Sequence, residues 1–315
     1  MTKIAVWGSF GGMAADLPRQ LPDEDVVAPK DESELSKAAD AECAIGTNNG
    51  ARVRKLLDAA PKLRWYHSVG AGVEDLVGVR EFRDRGITLT NNSGPYDIQI
   101  AEHALAFILA GAKRLHVYRD QQMRRNWKEH RQDELRGSTL VVYGLGSIGG
   151  EIARLGAALG MHVVGVRRRV EAVAGVDSIV PPELLADVAA EADYLAIAAP
   201  LTRSTRGAIS RDVMGRMKKT AWIVNIARGA IVDEDALVEA LRAGRLGGAG
   251  LDAFTTEPLP ADHPLWTLEN VMISPHSSNS SPHVRERTLA LFNENLRRFK
   301  AGEDLLNRVD FEAGY

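Results

Sequence analysis

Three polar side chains have the types needed to reduce a carbonyl group that lies beside a carboxylate. Arg228 lies in the segment NIARG, Glu257 in LDAFTTEPLP and His276 in ISPHSS, and each segment follows an apolar run. A guanidinium can bind a carboxylate and polarise a carbonyl through its planar fork, and histidine can donate a proton near neutral pH. A carboxylate beside the imidazole would orient the ring and favour its charged form. Taken singly, each residue is better explained as an ordinary surface or hydrogen-bonded side chain, so the hypothesis depends on the set.

A glycine-rich segment predicts a dinucleotide site. The apolar strand Thr139–Tyr143 leads into GLGSIG, a helical pattern follows, and a second apolar strand, His162–Val166, completes the unit. Gly144 permits a tight turn, Gly146 lets the backbone approach a pyrophosphate, and Gly149 lets the helix and strand pack closely. The N-terminus of the helix presents N–H groups and a positive dipole end to phosphates. The spacing alone is weak evidence, but its place in a complete strand–turn–helix–strand unit favours a bound dinucleotide over a ligand-free turn.

Three consecutive arginines lie where such a unit selects its cofactor. In NAD-binding units, an Asp or Glu about 20 residues beyond the glycines bonds the ribose hydroxyls. Here the second strand is followed by Arg167, Arg168 and Arg169, and the next carboxylate is Glu171. Guanidinium groups bind a 2′-phosphate through charge-assisted hydrogen bonds, whereas a carboxylate would repel it. A charge run is more often a solvated turn, but this position favours NADP(H) as the preferred cofactor, with NAD(H) also possible. Arg167 occupies the position of the acidic residue, and Arg168 and Arg169 are the better candidates for phosphate contact.

Two other glycine clusters follow apolar strands. Residues 69–72, VGAG, can form an anion-binding concavity of backbone N–H groups, and from the residues alone a plain loop and a carboxylate site are equally good interpretations. Residues 8–12, GSFGG, lack the dinucleotide spacing, so a loop at a strand end is favoured over a second nucleotide site.

The elements that carry these residues alternate between short apolar strands and amphipathic helical patterns. This alternation predicts an α/β fold with two doubly wound parallel sheets, each covered by helices on both faces. The candidate strands are Lys3–Trp7, Ala44–Ile45, Leu63–Ser68, Thr88–Asn91, Thr139–Tyr143, His162–Val166, Tyr194–Ala198, Trp222–Asn225, Gly248–Ala253 and Val271–Ile273. The clearest helical patterns between them are Arg52–Ala59, Gly149–Leu159, Ser210–Met217 and Glu234–Ala243.

The chain divides into two expected domains. Residues 1–95 together with 283–315 form the expected substrate domain, and residues 96–282 form the expected dinucleotide-binding domain. One long helical pattern runs from residue 98 to about 131 after the breaker pair Gly94–Pro95, and another spans residues 282 to about 300. Hinges are expected near 92–97 and 279–286.

The composition excludes several classes of protein. The chain has 315 residues and a net charge of −3, which gives no general attraction to nucleic acid or to anionic membranes. Its single cysteine, Cys43, rules out an intrachain disulfide and a cysteine-rich zinc site, and it fits a reducing cytoplasm. The N-terminus does not have the pattern of a signal peptide, and the apolar stretch Ala101–Ala112 is too short to cross a bilayer. The histidines outside the three-residue set have no companions at metal-ligand spacing, so no metal is expected.

Taken together, the motifs closely resemble those of the D-isomer-specific 2-hydroxyacid dehydrogenase family. The resemblance extends from about residue 65 to 278 and weakens in the first sixty residues. The matching segments are SVGAGVEDL (68–76), AEHALAFILAGAKRL (101–115), GLGSIGG (144–150), PLTRSTRGAI (200–209), NIARGAIVDEDALVEALRAGRLGGAGLDAFTTEPLP (225–260), HPLW (263–266) and NVMISPHSS (270–278).

The resemblance implies roles for individual residues. Arg228, Glu257 and His276 correspond to the catalytic set, with Arg228 and His276 also contacting the substrate. Backbone N–H groups at Val69 and Gly70 would bind the substrate carboxylate. The cofactor would contact the glycines and, in addition, Ser147, Ile148, Pro200, Thr205, Ile226 and Asp252, with Asp252 on the nicotinamide carboxamide.

The resemblance also implies an architecture and an activity. A flavodoxin-like substrate domain and a Rossmann cofactor domain would flank a cleft, and the protein would be a homodimer with much of the contact made by the helical segment from Ala101. The implied reaction interconverts a small 2-oxo acid, of the glyoxylate or hydroxypyruvate type, and its D-2-hydroxy acid. Two alternatives stay open: an NAD(P)H-sensing binding protein like the C-terminal-binding-protein corepressors, and a phosphite dehydrogenase.

Two departures from the family pattern limit what the resemblance implies. The arginines replace the acidic residue that favours NAD, and some NADPH-using glyoxylate/hydroxypyruvate reductases of the family share that kind of change. The family's frequent Asn-Pro-Gly before the long helix is Asn92-Ser93-Gly94-Pro95 here. Because that loop lies on the substrate side, the size of the substrate does not carry over.

Overall fold

The computed structural model describes residues 1–8 and 12–315, so most of the GSFGG cluster lies outside the described residues. The described chain forms two compact units. One comprises residues 1–96 and 281–315, and the other comprises residues 97–280. The chain therefore passes between units at 96/97 and 280/281, where the sequence suggested 95/96 and 282/283.

The first unit contains a five-stranded sheet in which all pairs are parallel. Its order is β2-β1-β3-β4-β5, the flavodoxin-like arrangement. The strands are β1 (Lys3–Trp7), β2 (Asp25–Val27), β3 (Cys43–Gly46), β4 (Trp65–Ser68) and β5 (Thr88–Thr90). The helices of this unit are α1 (Met13–Gln20), α2 (Gly50–Ala59), α3 (Glu74–Val77), α4 (Glu81–Asp84) and, from the C-terminal segment, α11 (Val284–Ala301).

Helices cover both faces of this sheet because its central strands are apolar on both sides. Every residue of β3 and β4 is buried. Alternate side chains of a strand point to opposite faces, and in β1 Val6 belongs to a buried cluster with Phe292 of α11, whereas Trp7 belongs to a cluster with Leu56 of α2. Trp65 stacks on Phe292 with 4.9 Å between ring centroids.

The second unit contains a seven-stranded parallel sheet of order β12-β11-β10-β9-β6-β7-β8. This is the Rossmann order, extended by one strand. The strands are β6 (Thr139–Tyr143), β7 (His162–Val166), β8 (Ser178–Val180), β9 (Tyr194–Ile197), β10 (Trp222–Asn225), β11 (Gly248–Leu251) and β12 (Val271–Ile273). The helices are α5 (Asp97–Ala112), α6 (Leu115–Met123), α7 (Ser147–Ala158), α8 (Leu185–Glu191), α9 (Arg211–Arg216) and α10 (Glu234–Arg242). The expectation of two doubly wound parallel sheets is confirmed.

The single long helix expected over residues 98–131 was wrong. Helix α5 ends at Ala112, and Arg114 adopts a left-handed conformation with φ of 53° before α6 begins. The Ala112 carbonyl accepts a hydrogen bond from the Asp133 N–H, so the chain returns to the end of α5. Helix α5 buries an apolar face, whereas α6 buries no residue. The segment after α6 is polar, so it has no apolar face whose burial would stabilise a longer helix.

Two short strands, β2 and β8, were not expected from the sequence. Each has three residues that are at most partly buried, and each lies at an edge of its sheet. An edge strand needs no continuous apolar run, so the apolar pattern used to find the central strands does not detect it. Within the described residues, no helix is long and apolar enough to cross a membrane.

A histidine is fully buried at the centre of the first sheet. His67 Nδ1 lies 2.8 Å from Thr90 Oγ1, and the same hydroxyl accepts the indole N–H of Trp65 at 2.9 Å. Burial lowers the pKa of His67 from its ordinary value to about 4.

This buried histidine makes stability sensitive to acid. The pKa of His67 is lower in the folded than in the unfolded chain. Between about pH 6.5 and 4 the unfolded chain therefore binds a proton that the folded chain does not. The free energy of unfolding falls by up to about 3 kcal/mol as the pH drops through this range. We expect His67→Gln to remove this term, so that urea unfolding midpoints at pH 7.5 and pH 5 differ less in the variant than in the wild type. His283→Gln, at an exposed position, is the control. Equal pH dependence of the unfolding midpoint in wild type and His67→Gln would show that the lowered pKa of His67 is not the source of the acid sensitivity.

Candidate active site

His276 and Glu257 form a hydrogen-bonded pair at the carboxyl ends of neighbouring strands. Glu257 follows β11 and His276 follows β12, and His276 Nδ1 lies 2.7 Å from Glu257 Oε2. The two side chains are 35% and 36% exposed, so the pair is open to a ligand. Its geometry leaves Nε2 as the ring atom available for proton transfer. His276 has φ of 50°, an uncommon conformation for a residue other than glycine that must be held by its surroundings.

The loop that carries His276 is anchored on a buried carboxylate. Asp252 Oδ1 accepts hydrogen bonds from the Ser277 N–H at 2.9 Å and from the Ser274 hydroxyl, and Oδ2 accepts the Ser278 N–H at 3.0 Å. The side chain of Asp252 is 1% exposed. The resemblance implies that Asp252 contacts the nicotinamide, which stays a prediction, and in this structure the same carboxylate also accepts three hydrogen bonds from the His276 loop.

His103 of α5 supports the same loop. Its Nε2 lies 2.8 Å from Ser274 Oγ. Since the Ser274 hydroxyl donates to Asp252, it accepts from His103, so the ring carries a hydrogen on Nε2. The structure thus gives His103 a packing role rather than a place in the catalytic set.

Arg228 and Glu257 lie on turns that pack directly against each other. The Phe254 N–H donates to Glu257 Oε1 at 2.9 Å. Gly229 follows Arg228, and a Cβ placed at Gly229 would lie 1.9 Å from the Phe254 carbonyl carbon. The Arg228 turn is closed by Asn225, whose Nδ2 donates to the Arg228 carbonyl at 3.0 Å. The absence of a side chain at Gly229 therefore lets the arginine turn and the glutamate loop touch through their backbones.

The glycine-rich turn has the close approaches expected of a dinucleotide site. Gly144 has φ of 96°, and a Cβ there would lie 2.5 Å from Ala199 Cα. A Cβ at Gly149 would lie 1.8 Å from the Gly144 carbonyl oxygen. Helix α7 begins at Ser147 directly after Gly146, so the first-turn N–H groups, including that of Ile148, point out of its N-terminus. These residues fit a pyrophosphate at the helix N-terminus.

This turn lies at the topological switch point of the second sheet. Strand β6 pairs with β7 on one side and β9 on the other, and ligands of open α/β sheets bind at the carboxyl ends of strands where the order reverses. The three arginines 167–169 come directly after β7, and the side chains of Arg168 and Arg169 are exposed. They therefore lie at the same edge of the sheet as the glycine-rich turn that follows β6.

Three other residues expected to bind the cofactor also follow strands at this edge of the second sheet, and one of them has hydrogen bonds within its own loop. Pro200 and Thr205 belong to the loop after β9, where the Thr205 hydroxyl donates to the Pro200 carbonyl at 2.6 Å and accepts the Thr202 N–H at 2.8 Å. Ile226 follows β10 and is buried. The Thr205 hydroxyl thus shapes the 200–205 loop.

The expected carboxylate-binding residues Val69 and Gly70 lie in the first unit, after β4. The Val69 N–H donates to the Gly46 carbonyl at 2.9 Å, so it is already used in the sheet. The Gly70 N–H has a longer contact, 3.2 Å, to the Ser68 hydroxyl. The Val69 carbonyl is held by Asn92 Nδ2 and the Tyr96 hydroxyl. Of the two expected N–H donors, only that of Gly70 is outside the sheet hydrogen bonding.

Sequence reasoning missed residues that support the site from behind. Ser274 links His103 to Asp252, and Glu234 accepts the Thr255 N–H of the glutamate loop at 3.1 Å. Both residues stand within the segments that carry the family resemblance. A serine after a strand and an acidic residue in the first turn of a helix have ordinary local explanations, so no local signal separates them from other residues of these types.

Comparison with known proteins identifies the family. Residues 105–278 match the family model for the NAD binding domain of the D-isomer specific 2-hydroxyacid dehydrogenases. A glyoxylate reductase from Korarchaeum cryptofilum is 34% identical over 300 residues, which cover 92% of this chain and 89% of the relative. A glyoxylate reductase from Aeropyrum pernix is 36% identical over 296 residues, with coverages of 89% and 87%. A D-isomer specific 2-hydroxyacid dehydrogenase from Xanthobacter autotrophicus Py2, solved with NADPH and MES, superposes with a TM-score of 0.86 at 28% identity and covers 100% of this chain and 99% of that one.

Proposed function

Because the chain belongs to the D-isomer specific 2-hydroxyacid dehydrogenase family, we propose that it interconverts a small 2-oxo acid, of the glyoxylate or hydroxypyruvate type, and its D-2-hydroxy acid. The family consists of oxidoreductases that use a nicotinamide cofactor. The observation that carries the proposal is the contact of 2.7 Å between His276 Nδ1 and Glu257 Oε2, since it leaves a proton donor at an exposed strand end. The names of the archaeal relatives support the substrate class.

In the direction of reduction, the bound cofactor supplies the hydride that is added to C2 of the 2-oxo acid. His276, protonated on both ring nitrogens, donates the Nε2 proton to the oxygen that becomes the hydroxyl. Glu257 bonds Nδ1, holds the ring in orientation and stabilises its positive charge. Arg228 presents its guanidinium to the substrate carboxylate and carbonyl oxygen. In the reverse direction His276 takes the proton back as a general base.

We also propose NADP(H) as the preferred cofactor. The support is the position of arginines 167–169 directly after β7, at the sheet edge where the ribose of a bound dinucleotide is recognised. The NADPH in the structure of the Xanthobacter relative agrees with this. The glycines, Ser147 and Ile148 would bind the pyrophosphate, Asp252 would contact the nicotinamide carboxamide, and residues Pro200, Thr205 and Ile226 would complete the site.

Substrate-carboxylate binding in the first unit is assigned to Gly70 rather than to Val69. The Gly70 N–H has a contact of 3.2 Å to the Ser68 hydroxyl and lies outside the sheet hydrogen bonding, whereas the Val69 N–H is part of the sheet. A homodimer is proposed as well. In the segment from α5 through residue 127, the exposed apolar side chains of Leu115, Met123 and Trp127 support a contact with a second copy.

The proposal is tested by following oxidation of NADPH and of NADH with glyoxylate, hydroxypyruvate, pyruvate and larger 2-oxo acids, and reduction of NADP⁺ with phosphite. We expect NADPH-dependent turnover that is fastest with the smallest 2-oxo acids and a product of D configuration by chiral chromatography. Turnover with phosphite alone would favour the phosphite dehydrogenase. Tight cofactor binding without turnover of any substrate would favour a nucleotide-sensing protein.

A further inference from the structure

A second carboxylate lies behind the Glu257 loop. Glu234 is the first residue of α10, and its Oε2 accepts the Thr255 N–H at 3.1 Å. Its Oε1 lies 3.6 Å from Nε2 of His263, the residue that precedes the 3₁₀ turn Pro264–Thr267. The two side chains are only 19% and 20% exposed, so the contact is largely screened from water.

The tautomer of His263 is set by its own turn. Nδ1 of His263 accepts the Leu265 N–H at 3.3 Å, so this nitrogen carries no hydrogen in the observed arrangement. The hydrogen of the neutral ring is therefore on Nε2, which faces Glu234. The pair thus places an N–H group 3.6 Å from Oε1 of Glu234, an electrostatic contact longer than a hydrogen bond, while Oε2 of the same carboxylate accepts the Thr255 N–H of the Glu257 loop.

Two consecutive peptide N–H groups of that loop bind two different carboxylates. The Phe254 N–H donates to Glu257 at 2.9 Å, and the Thr255 N–H donates to Glu234. On the other side, Gly229 lies against the peptide that joins Phe254 and Thr255. A Cβ placed at Gly229 would lie 1.9 Å from the Phe254 carbonyl carbon. The peptide between Phe254 and Thr255 is thus held from both sides, and the N–H of the preceding peptide, that of Phe254, donates to Glu257 Oε1.

We propose that Glu234, oriented by His263, is a positioning residue that keeps Glu257 aligned with Nδ1 of His276. This inference rests on the proposed function, in which the Glu257–His276 pair transfers the proton. A carboxylate at the first residue of a helix also favours the helix dipole, but the adjacent Asp235 has the same favourable position with an exposed side chain. Asp235 therefore provides a control for the dipole effect alone.

The test replaces Glu234 with glutamine. A glutamine amide has the same shape, but it carries no charge and must turn its NH₂ group either toward the Thr255 N–H or toward Nε2 of His263. In steady-state reduction of glyoxylate with NADPH we expect kcat of Glu234→Gln to fall about tenfold while KM for NADPH changes less than about twofold. Asp235→Asn should differ from wild type by less than about twofold in both constants. A Glu234→Gln enzyme with wild-type kcat, or an equal loss in Asp235→Asn, would overturn the proposal.

The pH profile separates positioning from general damage. Reduction needs the protonated His276, so kcat/KM falls at high pH. We expect Glu234→Gln to move this limb to lower pH, in the same direction as Glu257→Gln, because the carboxylate that stabilises the charged ring is then less well placed. A merely structural role would lower the rate at every pH and leave the limb in place, and that result would overturn the proposal.

His263→Asn tests the orienting contact. Asparagine is a good cap for the 3₁₀ turn, but its side chain is too short to reach Glu234. The single variant should share the kcat loss of Glu234→Gln, and the double variant should be no worse than Glu234→Gln alone because both act through one contact. Additive losses of kcat in the double variant would show that His263 and Glu234 act independently, which contradicts the orienting role of His263.

One measurement distinguishes failure of this inference from failure of the proposed function. The ring of His276 can be titrated by NMR in the full-length protein with labelled histidine and no substrate, using His276→Asn to assign its signal. A shift of the titration midpoint in Glu234→Gln supports the positioning role even if no 2-oxo acid is turned over. An unchanged midpoint in an active enzyme removes the positioning role and leaves the proposed function intact.

Discussion

Replacing His276 with asparagine is expected to lower kcat for glyoxylate reduction by about a thousandfold, within the range found for loss of a general acid. The asparagine side chain has no proton to give at neutral pH, while its amide can still bond Glu257, so the loop should keep its shape. Steady-state kinetics with NADPH, together with a fluorescence titration of NADPH binding, measure the effect. Binding should stay within about threefold of wild type, because the dinucleotide contacts lie elsewhere.

His162→Gln is the control for this experiment. His162 is the first residue of β7, half-exposed and at the amino end of a parallel strand, which is the end opposite the glycine turn. It should leave kcat unchanged. If His276→Asn retained more than about a tenth of the wild-type kcat, His276 would not be the proton donor and the role of the pair would have to be reassigned.

Removing the arginines after β7 is expected to reverse the cofactor preference. In Arg168→Ser/Arg169→Ser, loss of charge-assisted bonds to the 2′-phosphate should raise KM for NADPH by about a hundredfold and leave NADH within about threefold, because NADH has no such phosphate. Adding Arg167→Asp places a carboxylate where the ribose hydroxyls are recognised and should improve NADH use. The ratio of kcat/KM for NADPH and NADH measures the change.

As a control, Arg245→Ser removes one positive charge from an exposed arginine after α10, at the amino end of β11. It should not alter the ratio. Equal losses with both cofactors in the arginine variants would show that arginines 167–169 support the fold and do not select the cofactor. A wild-type protein that prefers NADH would contradict the cofactor proposal directly.

Two carboxylates, one buried and one largely buried, lie behind the His276–Glu257 pair. Asp252 binds the loop of His276, and Glu234 binds the loop of Glu257. The structure therefore holds His276 and Glu257 by separate anchors, and each anchor can be removed without deleting a member of the pair.

Local sequence patterns were sufficient for the features that depend on neighbouring residues. The GLGSIG spacing, the continuous apolar strands and the arginines after β7 are all properties of one strand–turn–helix–strand unit, and the structure places these elements as expected. Apolar runs of this kind bury both faces of a strand, which determines parallel sheets with helices on each side. The types of Arg228, Glu257 and His276 likewise indicated the chemistry before any contact was known.

Only the tertiary structure decided which of these groups touch. Glu257 and His276 are 19 positions apart and meet because β11 and β12 pair in parallel, so that both loops leave the same sheet edge. Asp252 has a strand-end position that suits a cofactor ligand, and its carboxylate also accepts backbone N–H groups 25 and 26 positions away. The Val69 N–H is likewise occupied by a neighbouring strand. Hydrogen-bond partners of this kind depend on sheet order and loop packing, which a periodic pattern along one segment does not contain.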